Sequence, residues 1–265
     1  MIKDITLGQY YPSGSILHKL DPRVKVMGAL IYIISLFIFK GKLGYIATTA
    51  FLIFLIMISL VPFSYMIKGL KTIIIFMVFT ALINLFMTPG EPVFTIWKLT
   101  ISKEGIEVTA RMIIRLISLI LGTSIMTFTT TPNQLTDALE RLFRPLKIFR
   151  FPVHEIAMMM SIALSFIPIL VEELDIIMKA QKARGADFDD KRFTKRVKAL
   201  IPVLVPLFVS AFRRANDLAL AMDSRCYRGG DGRTKMRPLV YHKKDIMAYL
   251  ILLLYLAIVI VMGRL

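Results

Sequence analysis

Long apolar runs separated by short polar breaks make up most of this chain. Five of them approach or reach the roughly 20 residues that a bilayer-spanning helix needs. They cover residues 24–39, 43–61, 72–87, 106–128 and 246–262. The pattern predicts about five transmembrane helices, with four in an N-terminal domain (1–128) and one in a C-terminal segment (245–265).

Two further apolar runs, 156–171 and 199–212, are shorter and contain prolines. If the first crossed the membrane, the eight basic residues between positions 179 and 198 would share one external loop. Loops rich in Lys and Arg favour the cytoplasmic side, which argues against that topology. We therefore expect two long helices whose apolar parts lie on or beneath the membrane and whose charged ends project into the cytoplasm.

The charge distribution supports this topology. The 265 residues are 56% hydrophobic and carry a formal net charge of +16. Residues 129–244 hold 21 of the 34 basic residues and 12 of the 18 acidic ones. The positive-inside rule places this block in the cytoplasm, and four preceding spans place the N-terminus there too. We expect a multi-pass protein of the cell membrane.

Composition and local signals define the fold class. The apolar content excludes intrinsic disorder, and a single cysteine, Cys226, excludes a disulfide scaffold. No sustained strand alternation appears, whereas residues 131–134 match a helix capping box and Gly185 is a natural helix stop. The chain is therefore predicted to be an all-α membrane protein with about five transmembrane helices and long cytoplasmic helices.

Two short segments of the basic block resemble each other. In each, an arginine lies between two small residues near the end of a predicted helix: Ala183-Arg184-Gly185 and Ser224-Arg225-Cys226. Small neighbours let a guanidinium approach a partner closely, and its rigid fork suits a carboxylate. Two such arginines suggest equivalent contacts on a two-fold partner. The alternative is that each arginine only meets the negative end of its helix dipole.

Several motifs in this order resemble a known family. They are His18-Lys19-Leu20-Asp21-Pro22-Arg23-Val24-Lys25, Thr129-Thr130-Thr131-Pro132, Phe166-Ile167-Pro168 and the two arginine motifs. Together they resemble the transmembrane subunit of energy-coupling factor transporters, EcfT, whose relatives are CbiQ and BioN. Ala-Arg-Gly is the usual form of both arginine motifs in that family. The second motif departs from it with Ser224 and Cys226, which are both small.

The resemblance implies a non-catalytic role in ATP-driven uptake of a vitamin or a metal. Such a subunit joins two ABC-type ATPases to a membrane substrate-binding protein, the S-component. Residues 129–244 would form the coupling domain, and its two arginine motifs would dock one ATPase each. ATP and Mg²⁺ would be bound by the ATPases, so no cofactor or metal is expected in this chain.

Two other groups are candidate sites. Arg111 and Arg115 share one face of a predicted span, where charge is costly and often functional. They either snorkel or pair inside the bundle, or they contact the S-component. The second group combines three consecutive methionines with an isoleucine, and it is either an adaptable S-component contact or ordinary core. Its members are Met158, Met159, Met160 and Ile162.

One function from another class stays open. The chain could be a membrane enzyme or a lipid-binding membrane protein, with the basic block serving only as its anchor on the bilayer. Nucleic acid is not an expected partner, because no recognisable binding module accompanies the positive charge.

Overall fold

The structure is a computed structural model that describes residues 10–38, 41–96, 99–188, 192–230, 236 and 238–264. Within these ranges it is almost entirely helical, so the prediction of an all-α membrane protein is confirmed. The helices are α1 (Pro22–Ile38), α2 (Lys42–Ser59), α3 (Phe63–Met87), α4 (Lys103–Thr129), α5 (Pro132–Phe143), α6 (Val153–Ala183), α7 (Phe193–Ser224) and α8 (Lys243–Arg264).

The chain divides into two compact units. The terminal unit comprises Gly8–Ala138 and Leu239–Leu265, and it contains α1–α4 and α8. The central unit comprises Leu139–Pro238, with α6 and α7 as its main helices. The core of the terminal unit is formed by fully buried side chains such as Leu36, Met66 and Val259. This core fixes the five helices of the terminal unit against one another.

Each of the five predicted spans lies in a helix of the terminal unit. By length and composition, α4, Lys243–Gly263 of α8 and the whole of α6 are able to cross a membrane. Helix α3 would be a fourth if its two parts, which meet at 60°, form one span. Helices α1 and α2 have 17 and 18 residues, close to the lower limit for spanning. Length alone does not separate α6 from these spans, so its cytoplasmic placement stays a prediction based on charge.

A β-hairpin between α3 and α4 was not expected from the sequence. Strands β1 (Pro92–Ile96) and β2 (Leu99–Ser102) pair antiparallel, with an irregularity between Pro92 and Phe94. Strands of four and five residues are too short for their apolar–polar alternation to be recognised beside the long apolar runs that surround them. Ser102 ends the hairpin and starts α4, because its hydroxyl accepts a hydrogen bond from Gly105 N–H at 3.0 Å.

The predicted capping box begins α5. Gln134 N–H donates to Thr131 Oγ1 at 3.3 Å, and Thr131 N–H donates to Gln134 Oε1 at 3.1 Å. This reciprocal pair satisfies two backbone donors that a helix start otherwise leaves open. The helix ends at Phe143, before Pro145, as the sequence predicts.

Helices α6 and α7 pack as an antiparallel pair. Arg214 donates to Glu173 at 3.2 Å, and the Gln181 side chain donates to the Pro202 carbonyl at 3.5 Å. Their prolines do not interrupt them: α6 runs for 31 residues and α7 for 32. Pro206 cannot donate to the Pro202 carbonyl one turn earlier. Gln181 supplies that acceptor with a donor from the neighbouring helix, which helps α7 to continue through its prolines.

Candidate functional site

The first arginine motif is the end of α6, and its backbone forms a Schellman motif. Ala183 is the last helical residue, and Arg184 is the C-cap. Gly185 follows in the left-handed region, with φ +91°. Ala186 N–H donates to Gln181 O, and Gly185 N–H donates to Lys182 O, both at 3.0 Å. These two bonds satisfy the last free carbonyls of the helix and fix where Arg184 leaves it.

The second arginine motif repeats this geometry position by position at the end of α7. Ser224 is the last helical residue and Arg225 is the C-cap. Tyr227 N–H donates to Met222 O at 3.0 Å, and Cys226 N–H donates to Asp223 O at 2.9 Å. Cys226 takes the place of Gly185 and is left-handed as well, with φ 56°. The similarity seen in the sequence is therefore a similarity of backbone structure.

Both arginines are available for a partner. All six motif residues are exposed. Within the described residues, neither the Arg184 nor the Arg225 guanidinium makes a hydrogen bond or an ion pair with another side chain. By contrast, the nearby Lys179 pairs with Asp175 at 3.3 Å and Arg214 pairs with Glu173. The two motifs thus present unpaired, fork-shaped donors on rigid helix ends.

The antiparallel packing separates the two motifs along the central unit. Gln181, three residues before Arg184, lies beside Pro202 of α7. From that level α7 runs on to Ser224, roughly 33 Å at the 1.5 Å rise of an α-helix. The motifs therefore lie near opposite ends of the helix pair, which suits contacts with two separate bodies better than one composite site.

Comparison with known proteins agrees with these features. The profile of the CbiQ family, described as cobalt transport protein, matches residues 13–236. The chain belongs to the EcfT/CbiQ family of energy-coupling factor transporter transmembrane proteins. The match includes both arginine motifs and all the helices from α1 to α7.

Three relatives illustrate how much of the chain is shared. All are named energy-coupling factor transporter transmembrane protein EcfT. The protein of Clostridium kluyveri is 51% identical, covering 97% of this chain and 96% of the relative. That of Ruminiclostridium cellulolyticum is 48% identical, covering 99% and 98%. That of Bacillus subtilis is 45% identical, covering 92% and 93%. The chain is thus a multi-pass membrane subunit of this transporter family.

The family motif at residues 18–25 anchors the start of α1. His18 Nε2 lies 2.9 Å from the Tyr11 carbonyl oxygen, so this nitrogen carries the proton. Its Nδ1 then accepts from the Ser15 hydroxyl at 2.6 Å. Lys25 Nζ donates to the carbonyls of Thr129, at 2.8 Å, and His18, at 3.3 Å. The motif therefore ties the start of α1 to the end of α4.

The pKa values of His18 and Asp21 in this motif both lie below their ordinary values. Burial lowers the pKa of His18 by disfavouring the charged ring, and the Lys25 charge acts in the same direction against the Tyr11 carbonyl. Burial raises the pKa of Asp21, but hydrogen bonds from Arg23 outweigh it and the resulting pKa lies below the ordinary value. The Arg23 guanidinium meets Asp21 Oδ2 at 2.7 Å and lies 3.7 Å from the centre of the Tyr241 ring.

Sequence reasoning missed the role of Asp245, which is 2% exposed. Its carboxylate accepts from Asp21 N–H at 2.8 Å and from His242 N–H at 2.7 Å. It therefore caps α8 and holds the start of α1 at the same time. An acidic residue three positions after a helix start was the available signal, but its distant partner was not visible in the sequence.

The two intramembrane arginines differ in their surroundings. Arg115 donates to the Tyr45 hydroxyl at 2.6 Å, and its guanidinium carbon lies 5.5 Å from the Phe37 ring centre. Arg111 donates to the Glu107 carbonyl one turn earlier, at 3.3 Å. Arg115 thus pairs inside the bundle and connects α4 with α1 and α2, which is one of the two predicted alternatives.

The methionine group lies on α6 with part of its surface exposed. Met159 is 58% and Met160 43% exposed, whereas Met158 and Ile162 are half-buried. A longer apolar surface lies on α7, mostly within the apolar run 199–212 of the sequence. Its members recur at helical spacing and are all exposed: Val197, Leu200, Ile201, Leu204, Val205, Phe208, Val209 and Phe212. We call this set the α7 stripe.

Proposed function

We propose that this chain is the coupling subunit of an ATP-driven importer, joining two ABC-type ATPases to a membrane S-component. One observation carries the proposal: α6 and α7 end in the same Schellman geometry, each with an exposed arginine at its C-cap that pairs with no other side chain in the described part of the chain. Two equivalent helix ends suit two equivalent partner subunits. A helix end bearing an arginine is a common anchor for a groove on a partner protein.

Arg184 and Arg225 would each enter a groove on one ATPase and meet a carboxylate there. Arginine fits such a pairing because its two parallel N–H bonds match both carboxylate oxygens. The small neighbours Ala183, Gly185, Ser224 and Cys226 leave room for the partner surface. ATP and Mg²⁺ bind the ATPases, and this chain carries out no catalysis.

Movement of the ATPases on ATP binding would bring the two helix ends together. The Glu173–Arg214 ion pair joins α6 to α7 where the two helices pack. The helices would pivot about this contact, so that movement of their ends is passed along both of them. The motion would reach the apolar surface of the central unit, formed by the methionine group and the α7 stripe. That surface would hold the S-component, which binds the vitamin or metal.

The proposal needs the central unit on the cytoplasmic side of the cell membrane. The +9 charge of residues 129–244 supports that placement, and the N-terminus would be cytoplasmic as well. Exposed isoleucines, valines and phenylalanines on α7 would then face the bilayer surface or a membrane partner rather than bulk water.

The test is co-purification with the ATPases after replacing each arginine by glutamate. Arg184→Glu and Arg225→Glu should each weaken retention of one ATPase, and the double variant should lose both ATPases and substrate uptake. Arg213→Glu is the matched control, because Arg213 is an exposed arginine in the middle of α7, away from its end. Retention of both ATPases and full uptake by the double variant would contradict the proposal.

A further inference from the structure

The terminal unit encloses an apolar cavity of about 450 Å³ that the proposed function does not use. Helices α1, α2, α4 and α8 and the 3₁₀ turn Leu17–Lys19 surround it. Small residues on three helices line it: Gly28, Ala29, Gly122 and Ala248. Tyr32 and Phe51 line its inner end, and behind it Phe51 stacks on Tyr255 with ring centres 4.0 Å apart. The cavity is thus an apolar slot between helices.

Three lysines line the other end of the cavity. Lys19, Lys25 and Lys244 lie where α1 and α8 begin and α4 ends. Lys25 is only 9% exposed, and two carbonyls accept from its ammonium group, which has three donors. Lys19 and Lys244 are exposed. One end of an apolar slot therefore carries a concentrated positive charge.

Two carboxylates nearby, Asp21 and Asp245, offset part of this charge. Asp21 pairs with Arg23 through both of its carboxylate oxygens. The two oxygens of Asp245 accept from backbone N–H groups of Asp21 and His242. Arg23 balances the charge of Asp21, and Asp245 balances one of the three lysine charges, so this end of the cavity keeps a net positive charge for an anionic ligand.

The depth of the cavity matches part of one bilayer leaflet. Lys25 and Tyr32 line it seven residues apart on α1, and Lys244 and Leu252 line it eight residues apart on α8. At 1.5 Å per residue this is roughly 10–12 Å, compared with about 15 Å for half of the hydrocarbon core. Exposed apolar residues such as Ile16, Phe54 and Met247 line it too, so that it opens sideways towards the bilayer.

We propose that this cavity binds one acyl chain of an anionic membrane phospholipid, whose headgroup phosphate meets Lys19, Lys25 and Lys244. The apolar walls match the chain, and the three cations match the phosphate. A helix of a partner subunit fits less well, because an apolar helix face would leave the three lysines without an anionic partner.

The test measures phospholipid retained by the full-length protein, extracted from cell membranes with its co-purifying subunits. The protein is incubated with equimolar phosphatidylglycerol and phosphatidylcholine of identical chains, washed, and examined by native mass spectrometry. We expect one tightly held phosphatidylglycerol and little phosphatidylcholine. Equal retention of the two lipids, or none of either, would overturn the proposal.

Two sets of variants test the lipid headgroup and the acyl chain separately. Replacing Lys19 and Lys244 by glutamine should weaken phosphatidylglycerol retention roughly 25-fold, at about fivefold for each surface lysine. Lys243→Gln is the control, because Lys243 is exposed beside Lys244 but does not line the cavity. An equal effect of Lys243→Gln would show a general charge effect and would contradict a defined site.

Whether the acyl chain occupies the cavity is tested by filling the cavity with a larger side chain. Ala248→Phe should abolish retention of the lipid, whereas Ala257→Phe on an exposed face of α8 should not. If Ala248→Phe does not fold, Ala29→Leu in the wall opposite serves the same purpose, and an unchanged melting temperature identifies the usable variant. Full retention in a folded, filled variant would mean that the phosphate binds alone, and the proposed acyl-chain site would be wrong.

Discussion

The backbone N–H of Asp21 donates a 2.8 Å hydrogen bond to the Asp245 carboxylate, joining the starts of α1 and α8 across 224 positions of the chain. The second oxygen of the same carboxylate accepts from His242 N–H at 2.7 Å. One buried side chain therefore closes the terminal unit by holding two helix starts together. This junction lies beside the lysine end of the apolar cavity.

The first prediction concerns this junction. Asp245→Asn keeps the shape but turns an NH₂ group towards one of the two backbone donors, so that donor loses its acceptor. We expect a loss of about 1–3 kcal/mol in the free energy of unfolding, measured by thermal or denaturant unfolding in detergent. Asp217→Asn, at an exposed position of α7, should change little. Equal stability of the two variants would show that the junction is not a stabilising contact.

Asp245 also shows what a single sequence conveys about this fold. Local signals were sufficient for the helices that contain the five predicted spans, for the Thr131–Gln134 capping box and for the end of α6 at Gly185. Each depends on residues within a few positions of one another. The Asp21–Asp245 bond depends on how α1 and α8 meet in the folded protein, and no local pattern encodes that.

The arginine motifs show the same division. Their similarity was visible in the sequence, but the residue that takes the left-handed position after the second helix was not. In the structure Cys226 takes the left-handed position, where a residue other than glycine is uncommon. The α7 stripe lies mostly within the apolar run 199–212, which the sequence predicted to belong to a long helix, and the helix does continue through Pro202 and Pro206. The role of either motif in docking stays a prediction.

A second prediction follows from the left-handed residues. Adding a side chain at Gly185 meets no neighbour within 4 Å, so only its φ of +91° opposes the change. Gly185→Ala should therefore destabilise the end of α6, and Cys226→Gly should stabilise the end of α7, each by about 1 kcal/mol. Opposite shifts in melting temperature are expected. Shifts of the same sign would contradict the shared Schellman geometry.

The third prediction concerns pH and His18. The folded protein holds the ring neutral with a lowered pKa, whereas the unfolded chain protonates near the ordinary value of 6.5. Stability is therefore complete above that value and falls as the pH drops towards the folded-state pKa. Asp21, whose pKa is lowered from 3.8, adds no pH dependence in this window.

The measurement is the melting temperature at about pH 8 and about pH 5.5, on either side of the ordinary histidine value. The wild-type protein should lose stability between the two, and His18→Gln should lose less because glutamine does not titrate. Identical losses in both proteins would place the pH dependence elsewhere in the chain.

A fourth prediction concerns the bond between Arg115 and Tyr45. Tyr45→Phe removes the 2.6 Å acceptor, and Arg115 Nε already has no hydrogen-bond partner among the described residues. We expect a loss of about 1.5–3 kcal/mol because the bond involves a charged group. In a protein that already carries Arg115→Met, Tyr45→Phe should cost much less stability. A double-mutant cycle should therefore give a clear coupling energy between the two residues. Arg111→Met combined with Tyr45→Phe should be additive, since Arg111 contacts its own helix.

The last prediction uses Cys226, the chain's single cysteine, which is exposed at the second arginine motif. A membrane-impermeant thiol reagent applied outside intact cells should not label it if the central unit is cytoplasmic. The same reagent should label it in inside-out vesicles, and co-expressed ATPases should protect it if Arg225 docks there.

Cys226→Ser gives the background labelling. An Asp189→Cys variant, at a position outside the described residues, gives a second probe of the same block. Labelling of intact cells would overturn the topology, whereas labelling of vesicles without protection would overturn docking alone, so the two failures are distinguishable.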